Sequence, residues 1–472
     1  MTSTVAEKSS GAGSAGAPRV TPSLVASPER AILPRVSVDE GGLAALPARG
    51  ARPLTDRKHV LDVLNGSAPA PYLFEDVATS KKIAINLKRN KAQDKTALMD
   101  EAALAFDYEK DKHEYWNPEE FSLLYASPLW HESSSSQRVV LNHLYWVGYY
   151  AQIISAEIAT IFFNQTANAG LYAIEEFRPV CDMLDLESAQ ERAHIHAFRR
   201  VGDQVEAALF GERVLTYPMR TPYAETMIFQ DAGPFRRFWK WAQLNAYTLL
   251  SSNDAFIGCQ YFLVRGVRTL CGKIVQHQLS QYYTRYDRPK DEGGQERPKD
   301  DAPVPSKISY FHFCDESYHF NSSTIVSHDV VRSLKKPSAF ERAVVNMGLA
   351  GAQKDHRQPS SLVNGIFWSD PAGFGALYKI LTSPTFGLDD QGAKDMIRRC
   401  FCEENDALHR AQATHDLARE SYVQYLADLD FVTPANKEMR VMARSSVART
   451  LDENRRAFSR ALEGARPIAR RA

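Results

Sequence analysis

The stretch Tyr310-Phe311-His312-Phe313-Cys314-Asp315-Glu316-Ser317-Tyr318-His319 constrains the fold most. On a helix, positions i, i+4 and i+7 fall on one stripe, and His312, Glu316 and His319 have that spacing. Two imidazoles and a carboxylate therefore share one face among aromatic neighbours. A charge in such surroundings is costly to bury unless it is paired or bound to metal. The chain must bring other groups to this stripe.

Candidates occur on other segments that read as helices. An apolar run from Val139 to Phe163 belongs to a helix expected from about Gln137 to about Asn168, and it carries Glu157. Asn142, His143, Gln152 and Glu157 interrupt the run, so it reads as a buried bundle helix and not as a membrane span. A second helix, expected to begin near Asp185 after the break at Pro179, carries Glu191 and His194 three positions apart. A long helical region from about Pro234 to Tyr286 contains Asp254 as its only acid. The opening stripe lies on a helix expected over Lys307–Leu334.

In chain order this gives carboxylate, Glu-x-x-His, carboxylate, Glu-x-x-His. That is the ligand pattern of a two-metal four-helix bundle. Composition alone yields about one Glu-x-x-His by chance in a chain this long, so the joint order carries the reading. Carboxylate with imidazole suits iron, with manganese as the alternative. Two nearby cations also explain how four carboxylates can be buried together without mutual repulsion. By spacing, His312 reads equally as a seventh ligand, as a donor behind the ligands, or as a packed ring.

The order and spacing resemble the non-haem diiron N-oxygenases typified by p-aminobenzoate N-oxygenase. That family has a ferritin-like bundle and an additional histidine one turn before the last Glu-x-x-His, where His312 stands. The resemblance spans about Gln137 to Leu334. It implies that Glu157 and His194 bind one iron, that Asp254, His312 and His319 bind the other, and that Glu191 and Glu316 bridge. Asp254 departs from the family pattern, in which a Glu is usual there. The resemblance further implies a monooxygenase that activates dioxygen with electrons from an external reductase or ferredoxin. Its substrate would be a small-molecule amine, with an arylamine taken to hydroxylamine, nitroso or nitro product. A homodimer is the family expectation. C–H hydroxylation by the same centre, a non-catalytic ferritin-like metal binder, and a metal-free helical scaffold are the competing readings.

The remaining sequence fits an all-α protein. Residues 1–53 are rich in Ala, Ser, Gly, Pro and Val, lack a signal-peptide core, and read as a disordered leader. Residues 54–136 read as short helices and loops packed on the bundle, 137–334 as the di-iron bundle, and 335–472 as a C-terminal helical extension. Helices are expected there over Ala339–Ala352, Pro371–Leu381, Gly392–Leu426 and Pro434–Leu462. Lysine and arginine number 57, as do aspartate and glutamate, so overall charge gives no sign of nucleic-acid or membrane binding. Six cysteines without a Cys-x-x-Cys pair indicate a reduced, cytoplasmic protein, and Cys400 and Cys402 read as packing residues. Tyr310, Phe311, Phe313, Tyr318, Phe256 and Tyr261 are candidates to line a pocket, although core packing is the stronger reading of each.

Overall fold

The computed structural model describes residues 77–172, 177–215, 234–284, 302–355 and 373–460. The leader expected at the N-terminus lies outside these residues. Every described residue belongs to one compact unit. Its elements are helical, with no strand among the described residues. No helix there is long and apolar enough to cross a membrane.

The longest helix, α3 (Ser135–Leu171), starts at a capping box. Ser134 Oγ accepts from Gln137 N at 3.3 Å and Gln137 Oε1 accepts from Ser134 N at 2.9 Å, satisfying two otherwise orphaned donors. Trp146, Tyr149 and Tyr150 on α3 are almost wholly buried, as its near-continuous apolar pattern requires. The next helix, α4 (Arg178–Phe210), begins earlier than its sequence pattern implied. Pro179 lies in its first turn, where the missing N–H has no intrahelical partner to lose. Gly211 ends it with φ 69°, a left-handed cap.

The long region after Pro234 is two helices, α5 (Pro234–Asn253) and α6 (Ala255–Thr284). Their junction packs against α3 at Gly170. A Cβ there would lie 2.8 Å from the Ser252 carbonyl oxygen. Helix α7 (Val304–Thr324) carries the opening stripe and continues through a π turn over Ile325–Asp329.

Helices α3, α4, α6 and α7 form the central bundle. Asn164 meets Glu187 while Tyr150 meets Phe198, so α3 and α4 are antiparallel. Lys273 lies over Phe320 while Tyr283 meets Tyr310, so α6 and α7 are antiparallel too. Trp146 meets Ser309 and Glu157 meets His312, so α3 and α7 run the same way. It follows that α4 and α6 are parallel, which demands one long crossover. Helix α5 lies within that connection and packs on α3 and α6. A single crossover is the ferritin-like topology.

Before α3 come α1 (Val77–Gln93) and α2 (Thr96–Ala105), both packed on α4 and α7. After α7 come α8 (Ala339–Asp355), α9 (Gly373–Thr382), α10 (Asp390–Cys402), α11 (Asp406–Leu426) and α12 (Val447–Phe458). The helix expected over Gly392–Leu426 is thus divided. Asp389 caps α10 by accepting from Gly392 N, and Asn405 Nδ2 donates to the Cys400 and Glu403 carbonyls to tie off its end. The helix expected over Pro434–Leu462 is likewise divided. A short turn at Pro434–Lys437 precedes α12, whose N-cap is Ser446. Cys400 is fully buried and Cys402 nearly so, as packing residues are.

Candidate metal centre

Three helices deliver six ligand-type side chains to one buried point. Helix α3 brings Glu157, α4 brings Glu191 and His194, and α7 brings His312, Glu316 and His319. They form two overlapping groups: Glu157, His194, His312 and Glu316, and Glu191, Glu316 and His319. Within each group the ligand atoms all lie within 4.8 Å of one another. Glu316 belongs to both. The resemblance paired His312 with His319, whereas the structure places His312 with Glu157 and His194.

The spacing is close. His194 Nδ1 lies 3.5 Å from Glu157 Oε1 and 3.4 Å from Glu191 Oε2. His319 Nδ1 lies 2.9 Å from Glu316 Oε1 and 3.5 Å from Glu191 Oε1. His312 Nε2 lies 3.2 Å from Glu157 Oε1 and 3.5 Å from Glu316 Oε1. Yet neither Glu157 oxygen and neither His312 nitrogen has hydrogen-bond geometry with any partner. These atoms converge on a shared point and do not aim at one another, as ligands around a cation do. Leaving such groups buried and unsatisfied would be costly, so the residues fit a bound metal.

The electrostatics agree. Burial and the Glu316 charge push the Glu191 carboxyl up to about 7. For His319, burial opposes protonation, but Glu316, Glu187 and Glu191 outweigh it and raise its pKa to about 9. Burial also acts against protonated His312, and contact with Glu157 and Glu316 overcomes it, leaving its pKa raised. Protons therefore neutralise the cluster when no cation does so.

Two of the three histidines are anchored from behind. His194 Nε2 donates to Asp315 Oδ2 at 3.1 Å, and Asp315 Oδ1 accepts from Lys95 N at 3.1 Å. His319 Nε2 donates to Gln190 Oε1 at 2.9 Å. Gln190 exchanges two amide hydrogen bonds with Asn90, at 2.9 and 2.8 Å. Helix α1 and its junction with α2 thus fix the Nδ1 atoms toward the centre. Nearby, Arg265 on α6 pairs with buried Glu187 and donates to Asn164 Oδ1 at 2.9 Å and to the His319 carbonyl at 3.0 Å. Sequence reasoning missed Asp315, Gln190, Asn90 and Arg265. Asp315 and Arg265 had a signal, a charge set among apolar and aromatic residues of a helix. The Gln190–Asn90 pair had none, its members being 100 positions apart.

Asp254 does not join the cluster. It is the N-cap of α6, its Oδ1 accepting from Ile257 N at 3.1 Å. An acid at the only break in a long helical run satisfies the orphan donors of the next helix, and that demand fixes its place. The aromatic candidates are mostly engaged elsewhere: Phe256 packs on Phe431, Tyr261 on Phe163 and Tyr247, Tyr310 and Phe311 on Tyr283, and Phe313 on His277. The rings around His312 are His194, Tyr150 and Phe198, all edge-on.

Residues 78–462 match the family model of the CylC-like acyl halogenases. The chain belongs to the CylC-like family. Its match extends from α1 through the helices after α7, so the family unit is larger than the bundle alone. No curated protein and no solved structure matches the chain. Membership in the CylC-like family makes this an oxidative, iron-dependent enzyme. The buried glutamates and histidines are the residues that could hold its metal.

Proposed function

We propose that this protein is a dinuclear non-haem iron enzyme that uses dioxygen to replace a C–H hydrogen of an acyl substrate with a halogen. The observation that carries the reading is the pair of overlapping ligand groups sharing Glu316, in a chain of the acyl halogenase family. Glu157, His194, His312 and Glu316 would hold one iron, and Glu191, Glu316 and His319 the other. When bound, the pair supplies the two-step reduction of dioxygen that makes an unactivated C–H bond reactive. The overall stoichiometry is one C–H bond, one halide, one dioxygen, two electrons and three protons, giving one C–X bond and two waters. The electrons require an external reductase or ferredoxin.

The chain's own residues shape that chemistry. Asp315 and Gln190 hold two imidazoles in one tautomer, so their Nδ1 lone pairs stay on the centre. Tyr150 and Phe198 wall His312 and exclude water from its side. Glu316, 8% exposed, is the least covered of the six, so substrate would approach from its side. A second reading, N-oxygenation of an amine, is favoured by one observation: His312 stands one turn before the last Glu-x-x-His and reaches the cluster.

The deciding experiment reduces iron-loaded protein anaerobically and admits dioxygen with chloride and a panel of acyl acids and thioesters. An amine panel runs in parallel. A chlorinated acyl product, seen by its isotope pattern in mass spectrometry, is expected. Hydroxylamine or nitroso products with untouched acyl substrates would replace this reading with the second.

A further inference from the structure

A second feature of the molecule lies away from the metal centre. A cavity of about 290 Å³ opens toward the start of α3, between the loop 120–125 and helices α3, α6 and α11. Phe121, Leu124, Tyr125 and Tyr145 give it an aromatic and apolar side, and the small Ala407 and Ala411 of α11 face them across it. Tyr145 precedes Glu157 by twelve positions on α3, about 18 Å at about 1.5 Å per residue. One small molecule cannot reach both places.

The wall of this cavity is held under strain. Leu124 and Ala126 have φ of 56° and 62°, left-handed values that a Cβ disfavours. Such strain persists only where the surroundings impose it, and it gathers at ligand clamps. Here Leu123 N donates to the Leu141 carbonyl at 2.8 Å and Asn142 Nδ2 donates to Ser122 Oγ at 3.0 Å, so the loop is pinned to α3 in this shape. The two left-handed residues bracket Tyr125, whose ring carries the Arg410 guanidinium at 5.3 Å. At Tyr145 the hydroxyl is buried with no hydrogen-bond partner. A hydroxyl left so is costly, and a polar group entering the cavity would satisfy it.

The cavity has one acid and one base, Glu120 and Arg410, both exposed at its rim. Neither makes an ion pair among the described residues, with the other or with any third group. A guanidinium stacked on a ring keeps its N–H edge free for a carboxylate. A ligand that answers both charges is a zwitterion, and one that answers the walls has a ring. A dry cavity of about 150 Å³ takes a benzene-sized molecule, so this one has room for a ring and a short polar chain. We propose that the cavity is a binding site for a free hydroxylated aromatic amino acid. Its carboxylate pairs with Arg410, its ammonium with Glu120, and its ring lies against Phe121 and Tyr125 with the ring hydroxyl on Tyr145. The site stands apart from the halogenase reading and does not depend on it.

The test is equilibrium dialysis of radiolabelled L-tyrosine and L-phenylalanine against the full chain. Tyramine, which lacks the carboxylate, and phloretic acid, which lacks the ammonium, serve as competitors. One L-tyrosine per chain is expected, held more tightly than L-phenylalanine, with both competitors weak. Arg410→Gln and Glu120→Gln are each expected to weaken L-tyrosine by about tenfold and to leave the circular dichroism unchanged, because both side chains are exposed. Tyr145→Phe is expected to make the two amino acids bind equally. Absence of saturable binding overturns the site. So does equal L-tyrosine affinity in wild type and Arg410→Gln, which would place the binding elsewhere, the metal centre included. Unchanged affinity in Glu120→Gln overturns the choice of an amino acid. Should Tyr145→Phe fail to fold, the two rim variants still decide.

Discussion

The two flanks of the metal centre are built on opposite plans. On the flank closed by α1 and α2, His194 and His319 each have an outer acceptor, and each acceptor is itself held, Asp315 by Lys95 N and Gln190 by Asn90. On the flank closed by α6 there is no carboxylate, and Arg265 donates from that helix to the His319 carbonyl and to Asn164 Oδ1. One flank fixes the ligand side chains, and the other fixes the backbone and the residues behind them. The difference teaches that a ligand's direction is set by the acceptor that stands behind it, whereas a cation outside the cluster holds the helix that carries the ligand.

The largest effect should come from Glu316→Ala, because Glu316 serves both ligand groups. Metal content should fall below one per chain, while circular dichroism stays helical. Two metals retained would mean that Glu316 bridges nothing. Next comes Asp315→Asn, which leaves His194 without its carboxylate anchor. Metal affinity should drop by about 10- to 100-fold. The same loss on replacing Tyr150 by Phe would erase the contrast between the flanks, since Tyr150 gives His312 a ring contact only.

A pH series separates the cluster's proton-loaded and metal-loaded forms. Without metal, the raised pKa of His319 contributes stability that is complete below its unfolded value of 6.5 and is lost as pH rises through about 9. Glu191 acts in the same direction between its unfolded 4.5 and about 7, because the folded state binds its proton more tightly. The melting temperature of metal-free protein should therefore fall from pH 6.5 to 9. Metal binding releases these protons, so the metal-loaded protein should hold or gain stability over that range. Parallel curves would contradict the coupling.

Smaller effects test the supports. Asn90→Ala leaves the Gln190 amide partly unpaired in the interior and should cost about 1–3 kcal/mol of stability, with two metals still bound. Asp254→Ala removes a helix cap and should cost about 1 kcal/mol, also without loss of metal. Loss of one metal there would restore Asp254 as a ligand.

Much of this was legible in the sequence, for a definite reason. Glu157, Glu191, His194, His312, Glu316 and His319 are polar residues at helical spacing within apolar helices, and a buried acid advertises a partner. The all-helical class and the bundle follow from the same pattern. Asp254 misled because a cap and a ligand look alike when only the surrounding apolarity is visible. What decides is whether the helix continues, and the break after Asn253 is a tertiary outcome at the Gly170 contact. Pro179 misled because a proline that breaks a helix interior is welcome in a first turn. The N-terminal supports were hidden because Asn90 and Lys95 belong to a polar, unpatterned stretch, and long-range amide pairing leaves no periodic trace.

The central claim is that three helices assemble one two-metal centre around Glu316. Its most direct test is anaerobic iron(II) titration of the whole chain, followed by removal of loose metal and elemental analysis. Two irons per chain are predicted, falling together in Glu316→Ala. One iron or fewer in the wild-type protein would contradict the account.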